Sequence, residues 1–340
     1  MTPDRALLEA MPDPMSRAAA VIPSGASTGS KRPDALYGTT FAGLPTHFVS
    51  ANGCRLVTAT GSELIDCTMA LGAVAIGYAD PEVVAAVSEA AARGNVAGLS
   101  HVLEIEIAER LVEVIPCAER VRFLKSGAEG VAAAVRIARA HTGRDRVIGC
   151  GYFGWLGWWS DAVGVPRGEH TDFASIPFDD VESLVRTAHA TGDALAAIVI
   201  EPVVDRAPST EWLAAARRAC DAVGAVLIFD EIKTGFRVRT GGYQSIAGVL
   251  PDLAVFGKAM ANGFPLSAVV GYARVMAAAA RTWISSTLAG ETTALAAARA
   301  VLDRHAREDV CAALACTGGE MIRVVRDAIA DAGVSGTTVD

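Results

Sequence analysis

The chain has 340 residues, 51% of them hydrophobic and 20% charged, enough to bury one large or two ordinary cores. Its formal net charge of -8, without any Lys/Arg-rich run, argues against a nucleic acid or an anionic membrane surface as the main partner. No apolar run reaches the ~18 residues of a membrane span and the N-terminus is acidic and broken by Pro, so a cytoplasmic small-molecule enzyme is the expectation.

Residues 1–60 read as an N-terminal arm with a Gly/Ser/Pro segment from Pro23 to Arg32, followed by hydrophobic alternation over Thr46 to Val57 that predicts small strands. Asp80 and Pro81 open an Ala/Val-rich helix to Ala97, as N-cap and first helical residue. Glu104 to Ile115 predicts another helix.

From about residue 120, short apolar runs alternate with helical stretches: Val121–Leu124, Val147–Cys150, Ala196–Ile200, Ala225–Phe229, Leu253–Phe256 and Ala268–Gly271. That alternation predicts an α/β fold, a mostly parallel sheet with helices on both faces, within a domain spanning 61–295. Residues 296–340 read as helices leaving it. The Ala-rich stretch from Thr292 to Ala330 is expected to break at Thr317-Gly318-Gly319.

The seven cysteines form no CxxC pair and sit mostly in apolar or helical context, which predicts buried free thiols in a reducing compartment. The six histidines are scattered, so no metal site is expected.

Three predicted strands run into ionisable residues: Ile200 into Glu201-Pro202, Phe229 into Asp230-Glu231, and Phe256 into Gly257-Lys258. In a parallel sheet the carboxyl ends share one edge, where ligands bind. A lysine after a buried strand is desolvated, its pKa falls, and it becomes a Schiff-base nucleophile. Taken alone, Lys258 reads first as an ordinary strand-end lysine, and a turn-capping acid explains Asp230 equally well. The junction Lys125-Ser126-Gly127-Ala128-Glu129 before a predicted helix, Val131 to His141, presents backbone N–H groups to an anion, or is simply an N-cap.

Together these motifs resemble the class III, fold-type I pyridoxal-phosphate aminotransferases, and among them the glutamate-1-semialdehyde aminomutases. The resemblance rests on Ser126-Gly127-Ala128-Glu129, Gly151-Tyr152-Phe153-Gly154-Trp155, Glu201-Pro202, Asp230 to Arg237, Pro251-Asp252-Leu253, Gly257-Lys258 and Ser285 to Glu291, in the family's order. It implies a seven-stranded sheet holding pyridoxal 5'-phosphate, Lys258 as Schiff-base lysine and proton shuttle, and Asp230 on the pyridine nitrogen. It further implies Tyr152 and Ile232 against the cofactor ring, Ser126, Gly127 and Ala128 around the phosphate, and a structural hydrogen-bonding role for Glu201. Thr287 would reach the phosphate of the partner in a homodimer.

Several positions depart from the family. Phe153 replaces a usual His, Gly130 softens the first turn of the phosphate helix, and Leu71 stands where aminomutases carry a pocket-lining Trp. Arg206 is expected to face the substrate or to be plainly solvated. Arg32, in a segment resembling the aminomutase substrate loop, is the candidate carboxylate ligand, with Lys31 as the alternative. Family members continue into a C-terminal small domain that is largely absent from this sequence, so truncation, a split enzyme and a binding-only fragment stay open. The primary reading is an aminotransferase acting on an amine donor and an aldehyde or keto acceptor. The alternatives are a 1,2-aminomutase or amino-acid racemase, and a non-catalytic or regulatory cofactor-binding protein.

Overall fold

The computed structural model describes residues 14–38, 43–160, 162–166 and 172–334. The chain divides into two compact units, Met1–Leu71 with Ile76–Pro81, and Gly72–Ala75 with Glu82–Asp340. The smaller unit contains helix α1 (Pro14–Val21) and an antiparallel three-stranded sheet, β1 (Phe48–Asn52), β2 (Arg55–Thr58) and β3 (Glu63–Ile65). Within it Tyr78 donates to Asp66 Oδ2 at 2.6 Å, and Gly53 and Tyr78 form an isolated bridge, tying the unit's last segment to its sheet.

The larger unit is built on a seven-stranded sheet in the order β4-β10-β9-β8-β7-β5-β6. Its strands are β4 (Arg120–Leu124), β5 (Arg146–Cys150), β6 (Phe173–Ser175), β7 (Leu195–Ile200), β8 (Val226–Asp230), β9 (Leu253–Phe256) and β10 (Ser267–Gly271). Strand β10 runs antiparallel to both its neighbours, and the other pairs are parallel. Every residue of β7 through β10 is buried, which is why these strands are continuous apolar runs rather than alternating ones.

Two helices, α2 (Pro81–Arg93) and α3 (Val102–Val114), precede the sheet. Helix α4 (Gly127–Thr142) packs across it: Val131, Ala134, Val135 and Ala138 join Val147, Val199, Ile228, Val255 and Val269 in one core. The alternate residues, Ile198, Leu227, Phe229 and Phe256, point to the other face and are equally buried. Helices α5 (Val181–Thr191) and α6 (Thr210–Val223) pack together, and α6 contacts β7 and β8 through a buried stripe of Trp212, Leu213, Ala216 and Cys220.

Helix α4 begins at Gly127, four residues before the apolar pattern, because Ser126 caps it: the Ser126 hydroxyl accepts from Glu129 N and the Glu129 carboxylate accepts from Ser126 N. Gly130 in its first turn is a packing residue rather than a softening one. A Cβ there would lie 2.6 Å from Val255 Cγ1, so the missing side chain lets the helix approach β9. Gly130→Ala gains up to ~1 kcal/mol of helix propensity but overpacks a core where insertion costs about 1–3 kcal/mol. The expected outcome is net destabilisation, read as a lower urea midpoint.

The C-terminal helices are α7 (Thr292–Arg307) and α8 (Val310–Asp331), so the break falls at Glu308-Asp309 rather than at Thr317-Gly318-Gly319. Asp309 accepts from Ala312 N at 2.9 Å and starts a new helix, while Thr317 inside it donates to Ala313 O at 3.0 Å. A capping carboxylate outweighs two helical glycines here. Among the described residues no helix is long and apolar enough to cross a membrane.

Candidate active site

The carboxyl ends of β5, β7, β8 and β9 open onto a cavity of about 350 Å³, lined by Tyr152, Glu201, Asp230 and Lys258 together with Gly127, Ala128 and Ile232. These residues come from five separate stretches of chain. Parallel strands deliver them to one edge, as the strand-end pattern implies.

Lys258 follows β9 directly and holds a left-handed backbone, φ 46°, a region sparsely occupied by side chains larger than Gly. Buried Ala259, Met260 and Ala261 fix that turn against the core. Burial lowers the Lys258 pKa, Asp230 and Glu201 oppose the shift, and the positive charges of Lys233 and Arg237 reinforce it. Its amine has no hydrogen bond or ion pair with any described residue.

Asp230 closes β8 and is buried. Its Oδ1 accepts from Ile232 N at 3.0 Å, and no described side chain donates to it. Desolvation pushes its pKa up to about 7, the Ile232 amide opposes this, and the negative charges of Glu201 and Glu231 add to it. The neighbouring Glu231 has a different task. Fully buried, it accepts from Tyr243 N at 2.7 Å, Gln244 N at 2.9 Å and the Thr234 hydroxyl, and staples the loop after β8.

Glu201 accepts from Lys233 Nζ at 2.6 Å and from Tyr152 N at 3.3 Å. Tyr152 is 67% exposed and meets Trp159 edge-on at 5.7 Å. Phe153 is buried among Trp158, Trp159 and Phe173, so the residue standing in place of a His anchors this loop. Gly154 permits a close approach to the phosphate-type loop, since a Cβ there would lie 2.3 Å from Ala128 Cβ.

The Ser126 hydroxyl is committed to the capping box with Glu129, and Ser126 does not line the cavity. Gly127 and Ala128 do line it, and their first-turn N–H groups have no described acceptor. At this junction two amides, rather than the Ser126 hydroxyl, face the cavity without a described acceptor.

Arg206, Arg32, Leu71 and Thr287 are not among the residues lining this cavity. Arg206 pairs with Asp179 at 2.6 Å, sits over the Phe178 ring at 5.2 Å and is not on the cavity wall. Asp179 also accepts from Ser209 N and Oγ, so this ion pair fixes the loop before α6. Arg32 belongs to the smaller unit, where both its Nε and Nη2 meet the Asp34 carboxylate. Leu71 is exposed and ends a run of left-handed residues, Met69, Ala70 and Leu71, in that same unit. Thr287 is exposed and lines a separate groove with Asn95, Leu99 and Ser286.

The sequence reading assigned no role to Lys125 and Lys233, yet both line the cavity. Lys125 pairs with the buried Glu291, the N-cap of α7, at 2.7 Å. Lys233 sits inside the quoted Asp230 to Arg237 motif, three residues after the key acid, and that position was its only signal.

The aminotransferase class-III family model matches residues 40–154 and 166–331. The chain belongs to the class III aminotransferases. It is 35% identical to a glutamate-1-semialdehyde 2,1-aminomutase of Symbiobacterium thermophilum over 83% of this chain and 70% of that protein. It is 31% identical to a 3-aminobutyryl-CoA aminotransferase of Cloacimonas acidaminovorans over 92% of this chain and 77% of that protein. Among solved structures, a transaminase with bound pyridoxal phosphate aligns with a TM-score of 0.84 at 29% identity, covering 98% of this chain and 81% of the other. An omega-transaminase from Sphaerobacter thermophilus aligns with a TM-score of 0.78, covering 86% and 72%.

The cofactor of this aminotransferase family is pyridoxal 5'-phosphate, and the cavity of this chain fits that molecule. It presents an uncommitted amine for the aldehyde, a buried carboxylate without a cation for the ring nitrogen, and two unpartnered amides for the phosphate. Among the described residues the Lys258 amine and the two amides have no partner, and the Asp230 carboxylate accepts only the Ile232 amide.

Proposed function

We propose that this aminotransferase moves an amino group from a small-molecule amine donor to an aldehyde or keto acceptor, with Lys258 as its catalytic residue. The observation that carries this reading is the unpartnered Lys258 amine in the same cavity as the cation-free Asp230. The cofactor, when bound, supplies an electron sink for the substrate α-carbon. Lys258 Nζ would hold the cofactor and, freed by the donor amine, would act as the base that takes the substrate's α-proton and returns it to the carbon on the far side of the nitrogen. A lowered pKa favours the base form of that amine.

In this reading Asp230 holds the ring nitrogen protonated, Tyr152 and Ile232 flank the ring, and the Gly127 and Ala128 amides bind the phosphate. Ile232 lies against the phosphate loop, since a Cβ on Gly127 would come within 2.5 Å of its Cδ1. Glu201 orients the Tyr152 backbone. An amine-donor screen with product analysis tests the whole assignment: accumulation of an aminated acceptor supports it, and full cofactor occupancy without turnover by any donor favours a binding protein. The 1,2-aminomutase reading is favoured by the name carried by several relatives. A labelled amine donor distinguishes it, because a mutase returns nitrogen to the same carbon skeleton.

A homodimer completes the reading, with Thr287 reaching the partner's cofactor phosphate. Its support is the exposure of Thr287 away from its own cavity, and the exposed Leu99, Val102, Ile105 and Trp283 on the same unit. Thr287→Ala is expected to leave the assembly intact by light scattering and to weaken cofactor binding about 5- to 10-fold, the loss of one hydrogen bond.

A further inference from the structure

Two carboxylates line the cavity, and the fold treats them differently. Glu201 lies within 2.6 Å of Lys233 Nζ, while Asp230 has no cation within ion-pair distance among the described residues. Lys233 stands on the turn after β8. Its ammonium bridges Glu201 Oε1 and the Val204 carbonyl, each at 2.6 Å. The other Glu201 oxygen accepts from Tyr152 N, and Gly151 packs so tightly on Glu201 that a Cβ would come within 2.6 Å of Glu201 Cβ. One side chain thus ties the ends of β5, β7 and β8 together through a carboxylate that is 13% exposed.

We propose that Lys233 is a positioning residue of the cofactor site: it clamps Glu201 where Glu201 holds the Tyr152 backbone, and it neutralises Glu201 so that Asp230 is the one cavity carboxylate left for the cofactor ring. The inference rests on the roles proposed above for Asp230, Tyr152 and Lys258. Without Lys233, the mostly buried Glu201 carboxylate keeps a single amide donor and an uncompensated charge. It would then compete with Asp230 for a cation and release the Tyr152 loop. The directions of the charge effects agree: Glu201 raises the pKa values of both Asp230 and Lys258, and Lys233 lowers that of Lys258.

The test compares holoenzymes of wild type, Lys233→Met, Lys233→Arg and the double variant Lys233→Met with Glu201→Gln. The readouts are the pH titration of the bound cofactor's visible absorbance and the cofactor dissociation constant. Lys233→Met removes a cation and unmasks an anion, and both favour the protonated nitrogen joining cofactor and lysine, so the titration midpoint moves up. The dissociation constant rises roughly tenfold, the equivalent of one charge-assisted hydrogen bond. Lys233→Arg restores both values, and the double variant returns the midpoint toward wild type because the unmasked anion is gone. If Lys233→Met does not fold, Lys233→Gln makes the same comparison. An unmoved midpoint in the single variant, or one the double variant fails to return, overturns the inference. Borohydride reduction of wild type is read separately: a cofactor mass on a lysine other than Lys258 sinks the underlying site assignment instead.

Discussion

Lys258→Ala is expected to leave the protein folded and to abolish covalent cofactor attachment. Mass spectrometry after borohydride reduction reads this as loss of the cofactor mass on the peptide carrying residue 258. Transamination should fall by at least the 10²–10⁴-fold typical of a lost general acid–base group, and further because the covalent anchor goes with it. The fold should survive because the ammonium makes no hydrogen bond or ion pair with the described residues. Burial lowers its pKa, so removing it relieves a desolvation penalty. A cofactor adduct persisting in the alanine variant would show that another lysine anchors it; Lys125 and Lys233 are the two others on the cavity wall.

Asp230 gives the second large effect, and its sign differs between cofactor-free and cofactor-bound protein. Its folded pKa is about 7, against 3.8 for the ordinary side chain, so between those values the folded state binds a proton that the unfolded state has lost. Stability therefore falls as pH rises from about 4 to about 7, by on the order of 4 kcal/mol from this group. The charges acting on it are Glu201 and Glu231, which keep the proton on, and Lys258, which opposes them. Glu231 titrates in the same direction, so the comparison must isolate Asp230. Cofactor-free Asp230→Asn should have a flatter melting temperature against pH and should exceed cofactor-free wild type at pH 8. In the holoenzyme the order is expected to reverse, because in the proposed site the cofactor ring would supply the missing cation. Loss of a buried charge pair costs about 3–5 kcal/mol, so Asp230→Asn should weaken cofactor binding by about 10²-fold or more. Identical pH profiles for cofactor-free wild type and Asp230→Asn would remove the argument that this carboxylate is buried without a cation.

The sheet was legible because its central strands are buried on both faces. Leucine, valine, isoleucine and alanine run unbroken from Leu195 to Ile200, and no amphipathic alternation confuses the signal. Strand β6, Phe173–Ser175, escaped notice for the opposite reason: it is a three-residue edge strand, only partly buried, with one neighbour. Helix boundaries were legible where a cap was strong and misplaced where propensity competed with one, as at Asp309 against Gly318-Gly319. Gly130 looked like a weak helix residue because nothing in the local sequence records the approach of Val255 from more than a hundred positions away.

The candidate site divides along the same line. Asp230, Lys258, Glu201 and the Ser126–Ala128 junction were readable because each sits at the end of a strand whose apolar run is visible, and parallel topology then sends those ends to one edge. Arg206 was a candidate by spacing, but spacing along a loop does not fix direction, and Asp179 holds it outside the cavity wall. Lys233 was invisible as a site residue because a lysine in a turn is ordinarily solvated, and only the position of Glu201 draws it inward.

By itself the sequence determined the α/β class and the strands that carry chemistry, because burial and strand ends leave direct traces in residue order. Lys258 and Asp230 were singled out as proposed anchor and acid only through the family resemblance of the surrounding motifs. Tertiary structure alone decided which of two cavity carboxylates is neutralised and which stays without a cation. It also decided that Ser126 caps a helix while its neighbours' amides stay free. Those outcomes depend on distances between side chains far apart in the chain, and an electrostatic interaction that falls with distance cannot be read from order alone.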